Sequence, residues 1–194
     1  IPPEGYLREA AQLCKENNVL LIADEIQSGL GRSGKMFAFE YEGIRPDAVI
    51  IGKALSGGFY PVSAVLSTKE VLGVFRPGEH GSTFGGNPLA AATAIAALDV
   101  LIDEKLIERS AELGKYFLEQ LQAITSPRIR TVRGRGLWIG LELTEPARPY
   151  CEALMKEGIL CKETHETVIR LAPPLVITKE EVDWVVKKVR MLLQ

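Results

Sequence analysis

Two short apolar runs, each ending abruptly in charge, constrain this chain more than any other feature. Ala48–Ile51 (AVII) has no polar interruption and stops at Gly52-Lys53, and Val19–Ala23 (VLLIA) stops at the acidic pair Asp24-Glu25. Continuous runs this short, rich in β-branched residues, suit strands of a parallel sheet covered on both faces. Ahead of the first run, Leu7, Ala10, Ala11 and Cys14 recur at helical spacing, and the spacing predicts a helix over Tyr6–Asn17. Alternation of helix and strand predicts an α/β fold with a mostly parallel sheet.

Placement at strand ends gives the two charges their interest. In open α/β sheets, ligands collect outside the carboxyl ends of the strands, and Lys53 and Asp24 both lie there, 53 − 24 = 29 residues apart. Gly52, Gly57 and Gly58 leave room for a cofactor or another backbone to come close. Taken alone, Lys53 reads more readily as an ordinary strand-end lysine, since most lysines are at the surface. Paired with a carboxylate it matches what pyridoxal phosphate needs from a protein: an amine that condenses with an aldehyde, and an anion to hold the pyridine nitrogen protonated.

Longer blocks carry a more specific likeness. LLIADEIQSGLGRSGKMFAFEYEGIRPD (Leu20–Asp47), IIGKALSGGFYPVSAVL (Ile50–Leu66), GEHGSTFGGNPLAA (Gly78–Ala91) and ARPYCEALMKEGILCKETHETVIRLAPPL (Ala147–Leu175) are similar to class III, fold-type I pyridoxal-phosphate-dependent aminotransferases, and among them to those acting on ornithine. The resemblance implies that Lys53 carries the cofactor and moves the proton, that Asp24 faces the ring nitrogen, and that Gln27 hydrogen-bonds the phenolic oxygen. It also implies that Thr83, with its neighbour Ser82 the weaker candidate, reaches the cofactor phosphate of a partner subunit in a homodimer or higher homo-oligomer. Arg170 would hold the substrate α-carboxylate, a bidentate task suited to a guanidinium; on pattern alone it reads as a sheet-surface arginine.

The implied reaction moves the δ-amino group of ornithine to 2-oxoglutarate, giving glutamate 5-semialdehyde and glutamate. Acetylornithine or 4-aminobutyrate transamination by the same machinery is the nearest alternative, and a fragment without a complete cofactor site is the alternative of another kind. Members of the group are longer, so the chain is expected to be their C-terminal half. Residues 1–125 would belong to the cofactor-binding large domain and 126–194 would form a small α+β domain, divided at Ser126-Pro127.

Composition narrows the partners. With 46% hydrophobic residues the chain reads as a soluble globular protein, and its net charge of −2 gives no reason to expect nucleic acid or an anionic membrane. No apolar run approaches the roughly 18 residues of a membrane span. Scattered Cys14, Cys151 and Cys161 suit a reducing compartment, the cytoplasm or a mitochondrial matrix. With only His80 and His165 and no clustered cysteines, no metal site is expected. Ser28–Lys35 (SGLGRSGK) superficially matches a phosphate-binding loop, but its glycine spacing is wrong and Met36 follows Lys35; Arg32 and Lys35 are therefore expected in solvent, and Phe37, Phe39 and Tyr41 as packing.

Further along, the pattern predicts a strand at Val62–Ser67, a short helix from Thr68, and a buried apolar helix at Leu89–Leu101 capped by Asn87-Pro88. A second, amphipathic helix is predicted at Glu104–Ile124. Strands follow at Ile129–Val132, Leu137–Leu143, near Gly158–Cys161 and at Val168–Leu171, with helices at Arg148–Glu157 and Lys179–Leu193.

Overall fold

A computed structural model describes residues Ile1–Gln194. The chain folds into two compact units, one made of Pro2–Gly31 with Lys35–Leu106, the other of Arg32–Gly34 with Ile107–Gln194.

In the first unit, helix α1 (Tyr6–Glu16) leads to strand β1 (Ile22–Asp24), and β2 (Ala48–Ile51) pairs parallel to it. Strand β1 is shorter than the apolar run that predicted it: Val19 and Leu20 stay outside the strand and exposed. β3 (Ala64–Ser67) completes a three-stranded sheet in the order β1-β2-β3, and it runs antiparallel to β2. The sheet is therefore mixed. The connection from β2 to β3 holds a 3-10 turn at Lys53–Ser56 and no α-helix, whereas parallel neighbours are usually joined through a crossover helix.

Helix α2 (Lys69–Leu72) is a single turn, followed after a glycine-rich loop by α3 (Pro88–Asp103). Asn87 Oδ1 accepts from Ala90 N at 2.9 Å, with Pro88 next to it in the first turn, so the predicted cap is the observed one. The expectation that α3 is buried all round is not met: Ala90, Ala94 and Leu101 are buried, whereas Leu89, Ile95 and Ile102 are exposed. Within this chain the helix meets the turn at Lys53–Ser56, where a Cβ on Gly57 would lie 3.3 Å from Ala97 Cβ. One neighbour covers one stripe, and a helix that is apolar all round needs more.

The second unit holds a four-stranded antiparallel sheet in the order β4-β5-β7-β6, made of β4 (Ile129–Arg135), β5 (Trp138–Leu143), β6 (Lys162–Thr164) and β7 (Val168–Leu171). Ile139, Leu141, Leu143, Ile169 and Leu171 alternate onto one face. Against them pack α4 (Leu106–Gln122), α5 (Arg148–Lys156) and α6 (Lys179–Leu193). α6 opens on a reciprocal cap, in which Glu181 N donates to Thr178 Oγ1 and Thr178 N to Glu181 Oε2. Phe117 and Leu121 of α4 lie fully buried in the second unit's core.

Candidate active site

The parallel register Asp24↔Ile50 brings the carboxyl ends of β1 and β2 to one edge. Asp24 is the last residue of β1 and is exposed there, its Oδ1 accepting from Ile26 N at 3.1 Å. Lys53 follows β2 after Gly52, and its Nζ donates to Gln27 Oε1 at 3.1 Å. Its backbone has φ +44°, a left-handed conformation that costs an L-residue about 1–2 kcal/mol. Strain of this kind persists where the surroundings impose it, and it concentrates at functional sites. Lys53, Gln27 and Asp24 thus come from the same edge, two of them in direct contact.

Glu25 is the residue whose role the sequence does not disclose. It is 4% exposed, and its main-chain N–H donates to Ile50 O at 2.9 Å, which carries the pairing one step past β1. Its carboxylate closes the loop that follows: Oε2 accepts from Ser28 Oγ at 2.5 Å and Oε1 from Phe39 N at 3.0 Å. Gly29 N donates to Glu25 O at 3.0 Å, forming a turn with Gln27 at its middle. Gly29 must be glycine for this approach, because a Cβ would lie 2.8 Å from Glu25 O. The available signal was strand alternation: if Asp24 faces out, Glu25 faces in.

Beside Lys53 lies an open cleft of about 840 Å³, lined among others by Tyr60, Ser63, Phe84, Asn87 and Ala90. Asp24, Gln27, Ser82 and Thr83 are not among its lining residues. Ser82 Oγ accepts from Gly85 N at 2.8 Å and is occupied in shaping its loop, whereas Thr83 is exposed on it. Tyr60 and Phe84 were legible in the sequence only as aromatics next to motifs.

In the second unit Arg170 is half-buried between Ile169 and Leu171, which face the core, and it forms no ion pair with the chain. Arg32 corrects the expectation of a solvated loop residue. Its guanidinium is largely buried and donates to Leu137 O at 2.8 Å and Pro173 O at 2.5 Å, and burial lowers its pKa from the ordinary value. Lys35 is exposed, as expected.

Residues 1–193 match the aminotransferase class-III family. The chain belongs to this family. It is 67% identical over 190 residues to an ornithine aminotransferase of Geobacillus, an alignment covering 98% of this chain and 48% of that protein. Among solved structures, an ornithine aminotransferase from Plasmodium yoelii superimposes with a TM-score of 0.96 at 43% identity, covering 100% of this chain and 52% of that one. An acetylornithine aminotransferase from Elizabethkingia anophelis gives 0.95 at 48% identity, covering 100% and 50%. The chain spans about half the length of the curated relatives it matches. No helix is long and apolar enough to cross a membrane.

Class-III aminotransferases are pyridoxal phosphate enzymes. The donor chemistry at the strand ends suits that group: an amine held by a neutral amide, a carboxylate on the neighbouring strand, and an open cleft beside the amine.

Proposed function

We propose that the full-length protein transfers the δ-amino group of ornithine to 2-oxoglutarate, giving glutamate 5-semialdehyde and glutamate, with pyridoxal phosphate as cofactor. The observation that carries this reading is the Lys53 Nζ–Gln27 Oε1 contact at 3.1 Å, at the edge where Asp24 ends the parallel neighbour strand. The names of the relatives, at 64–67% identity, support the substrate. When bound, the cofactor supplies an aldehyde and an electron-withdrawing ring.

Lys53 is the amine for that aldehyde and the base that removes and returns the substrate proton. The Gln27 amide restrains the flexible lysine head while leaving its charge unpaired. Asp24, the terminal residue of β1, would hold a proton on the ring nitrogen electrostatically when the cofactor is bound. Thr83, and less directly Ser82, is proposed to serve the phosphate across a homodimer interface; neither lines the cleft of its own chain. Arg170 is proposed as the clamp for the α-carboxylate. The unit around Lys53 would then be the C-terminal part of the cofactor-binding domain, and the unit around Arg170 the small C-terminal domain.

Acetylornithine is the second reading, favoured by the 48% identity to the Elizabethkingia structure bearing that name. Both readings share Lys53. Reduction of the full-length protein with borohydride in the presence of pyridoxal phosphate should fix the label on Lys53, and Lys53→Ala should abolish both label and turnover. Retained turnover in that variant would overturn the assignment. Comparing ornithine with acetylornithine as amino donor separates the two readings.

A further inference from the structure

The register of the β4-β5-β7-β6 sheet lines up Arg133, Gly140, Arg170 and Lys162 as cross-strand neighbours, one from each strand. Ile139, Leu141, Ile169 and Leu171 turn toward the core, so strand alternation puts this row on the opposite face. Three of the four carry positive charge.

Their partners differ. Arg133 is neutralised by Glu142, which also pairs with Arg130 at 3.1 Å. Glu163, next in chain to Lys162, is held by Arg148 at 3.0 Å. Arg170 and Lys162 form no ion pair, although they stand directly opposite one another. On Arg170's other side the cross-strand neighbour is Gly140, which has no side chain to shield the guanidinium. Directly opposed like charges on an antiparallel pair lie about 4.5–5.5 Å apart at Cβ and destabilise the sheet. Glu163 also feels the Lys162 charge, but Arg170 faces Lys162 with no ion-pair partner of its own, and a bound anion would relieve that opposition.

We propose that Lys162 is a second carboxylate-binding residue, acting beside Arg170 on the carboxylate groups of a dicarboxylate substrate. The inference rests on the reading of Arg170 as a carboxylate clamp and names a further residue for it. The guanidinium fork fixes the orientation of one carboxylate, and the lysine adds a mobile point charge that a neutral or monocarboxylate competitor uses less fully. Lys162 thereby favours dicarboxylate oxo acids over monocarboxylate ones.

The test uses glutarate, a dicarboxylate with no carbonyl or amine to react, titrated calorimetrically into the full-length protein loaded with pyridoxal phosphate. Lys162→Met should weaken glutarate by about two- to fivefold, the range that a solvent-accessible charge pair supports, and Lys162→Arg should largely restore it. Without ligand, Lys162→Met should melt about a degree higher, because the repulsion is gone. A residue that only holds the sheet together would show the reverse: lower melting and unchanged affinity. Unchanged glutarate affinity in Lys162→Met, with affinity lost in Arg170→Ala, would overturn the role of Lys162 alone. Unchanged affinity in both variants would overturn the clamp reading with it.

Discussion

Replacing Glu25 by alanine should loosen the loop that presents Gln27 to Lys53. The buried carboxylate accepts from Phe39 N at 3.0 Å and from Ser28 Oγ at 2.5 Å. The Ser28 hydroxyl can turn to another partner, but the Phe39 amide direction is set by the main chain, and leaving it unpaired costs about 1–3 kcal/mol. Loss of the buried methylene adds about 0.8 kcal/mol. Relief from burying a carboxylate offsets part of this, so the net expected cost is about 1–3 kcal/mol. Glu25→Gln keeps a carbonyl acceptor for Phe39 and a donor for Ser28, and should cost below about 1 kcal/mol. Hydrogen exchange at the Phe39 amide reads the effect locally: about 5- to 150-fold faster exchange in the alanine variant, near-native in the glutamine variant. Affinity for pyridoxal phosphate should fall with it, since Gln27 sits within the same turn. Equal damage from Gln and Ala would show that charge, and not the acceptor geometry, matters. Unchanged exchange at Phe39 would remove the reasoning altogether.

Other outcomes follow from packing and charge. A Cβ on Gly136, which has φ +55°, would lie 2.4 Å from Gly34 N and Ser33 C; because these are backbone atoms that cannot swing away, Gly136→Ala should destabilise by about 3 kcal/mol or more in thermal or urea unfolding. The hydrogen bond from Arg133, then that from Arg130, holds the Glu142 carboxyl below its ordinary pKa. Its stabilisation is therefore present above the unfolded value of about 4.3 and is lost as pH falls through the lower folded value. Melting curves of Glu142→Gln and the native protein should differ at pH 7 and converge toward pH 3; a constant gap would refute the ion pairs. Burial and the adjacent Cys151 push the Cys161 thiol up to about 12. Iodoacetamide at pH 8 should leave it unmodified in the folded protein and label it in urea, as peptide mapping would show.

The placement of Lys53 and Asp24 was legible because it depends on local order. A continuous apolar run ending in Lys53, and another ending in Asp24, put both groups at strand ends whatever the rest of the sheet does. The caps were legible for the same reason: Asn87-Pro88 and Thr178 with Glu181 act within one turn of chain. In the second unit Val168–Leu171 matches its prediction residue for residue, whereas the strand expected near Gly158–Cys161 forms at Lys162–Thr164, after that segment.

What tertiary structure decided was direction, burial and partnership. Whether β3 runs with or against β2 depends on the connection between them, which apolar runs do not encode. Arg32 reads in the sequence as a solvated loop cation, yet it is half-buried and donates to the carbonyls of Leu137 and Pro173, more than a hundred residues away. Glu25 looked like half of an acidic pair and became the clasp of a loop, because its acceptor partner Phe39 lies 14 residues on. The unpaired opposition of Arg170 and Lys162 exists only in the register of β6 on β7. Sequence by itself determines preferences that act over a few residues: strand, helix, cap, and the side chain placed at an element's end. Long-range pairing determines which charges meet, because the energy of a charge depends on its neighbours in space.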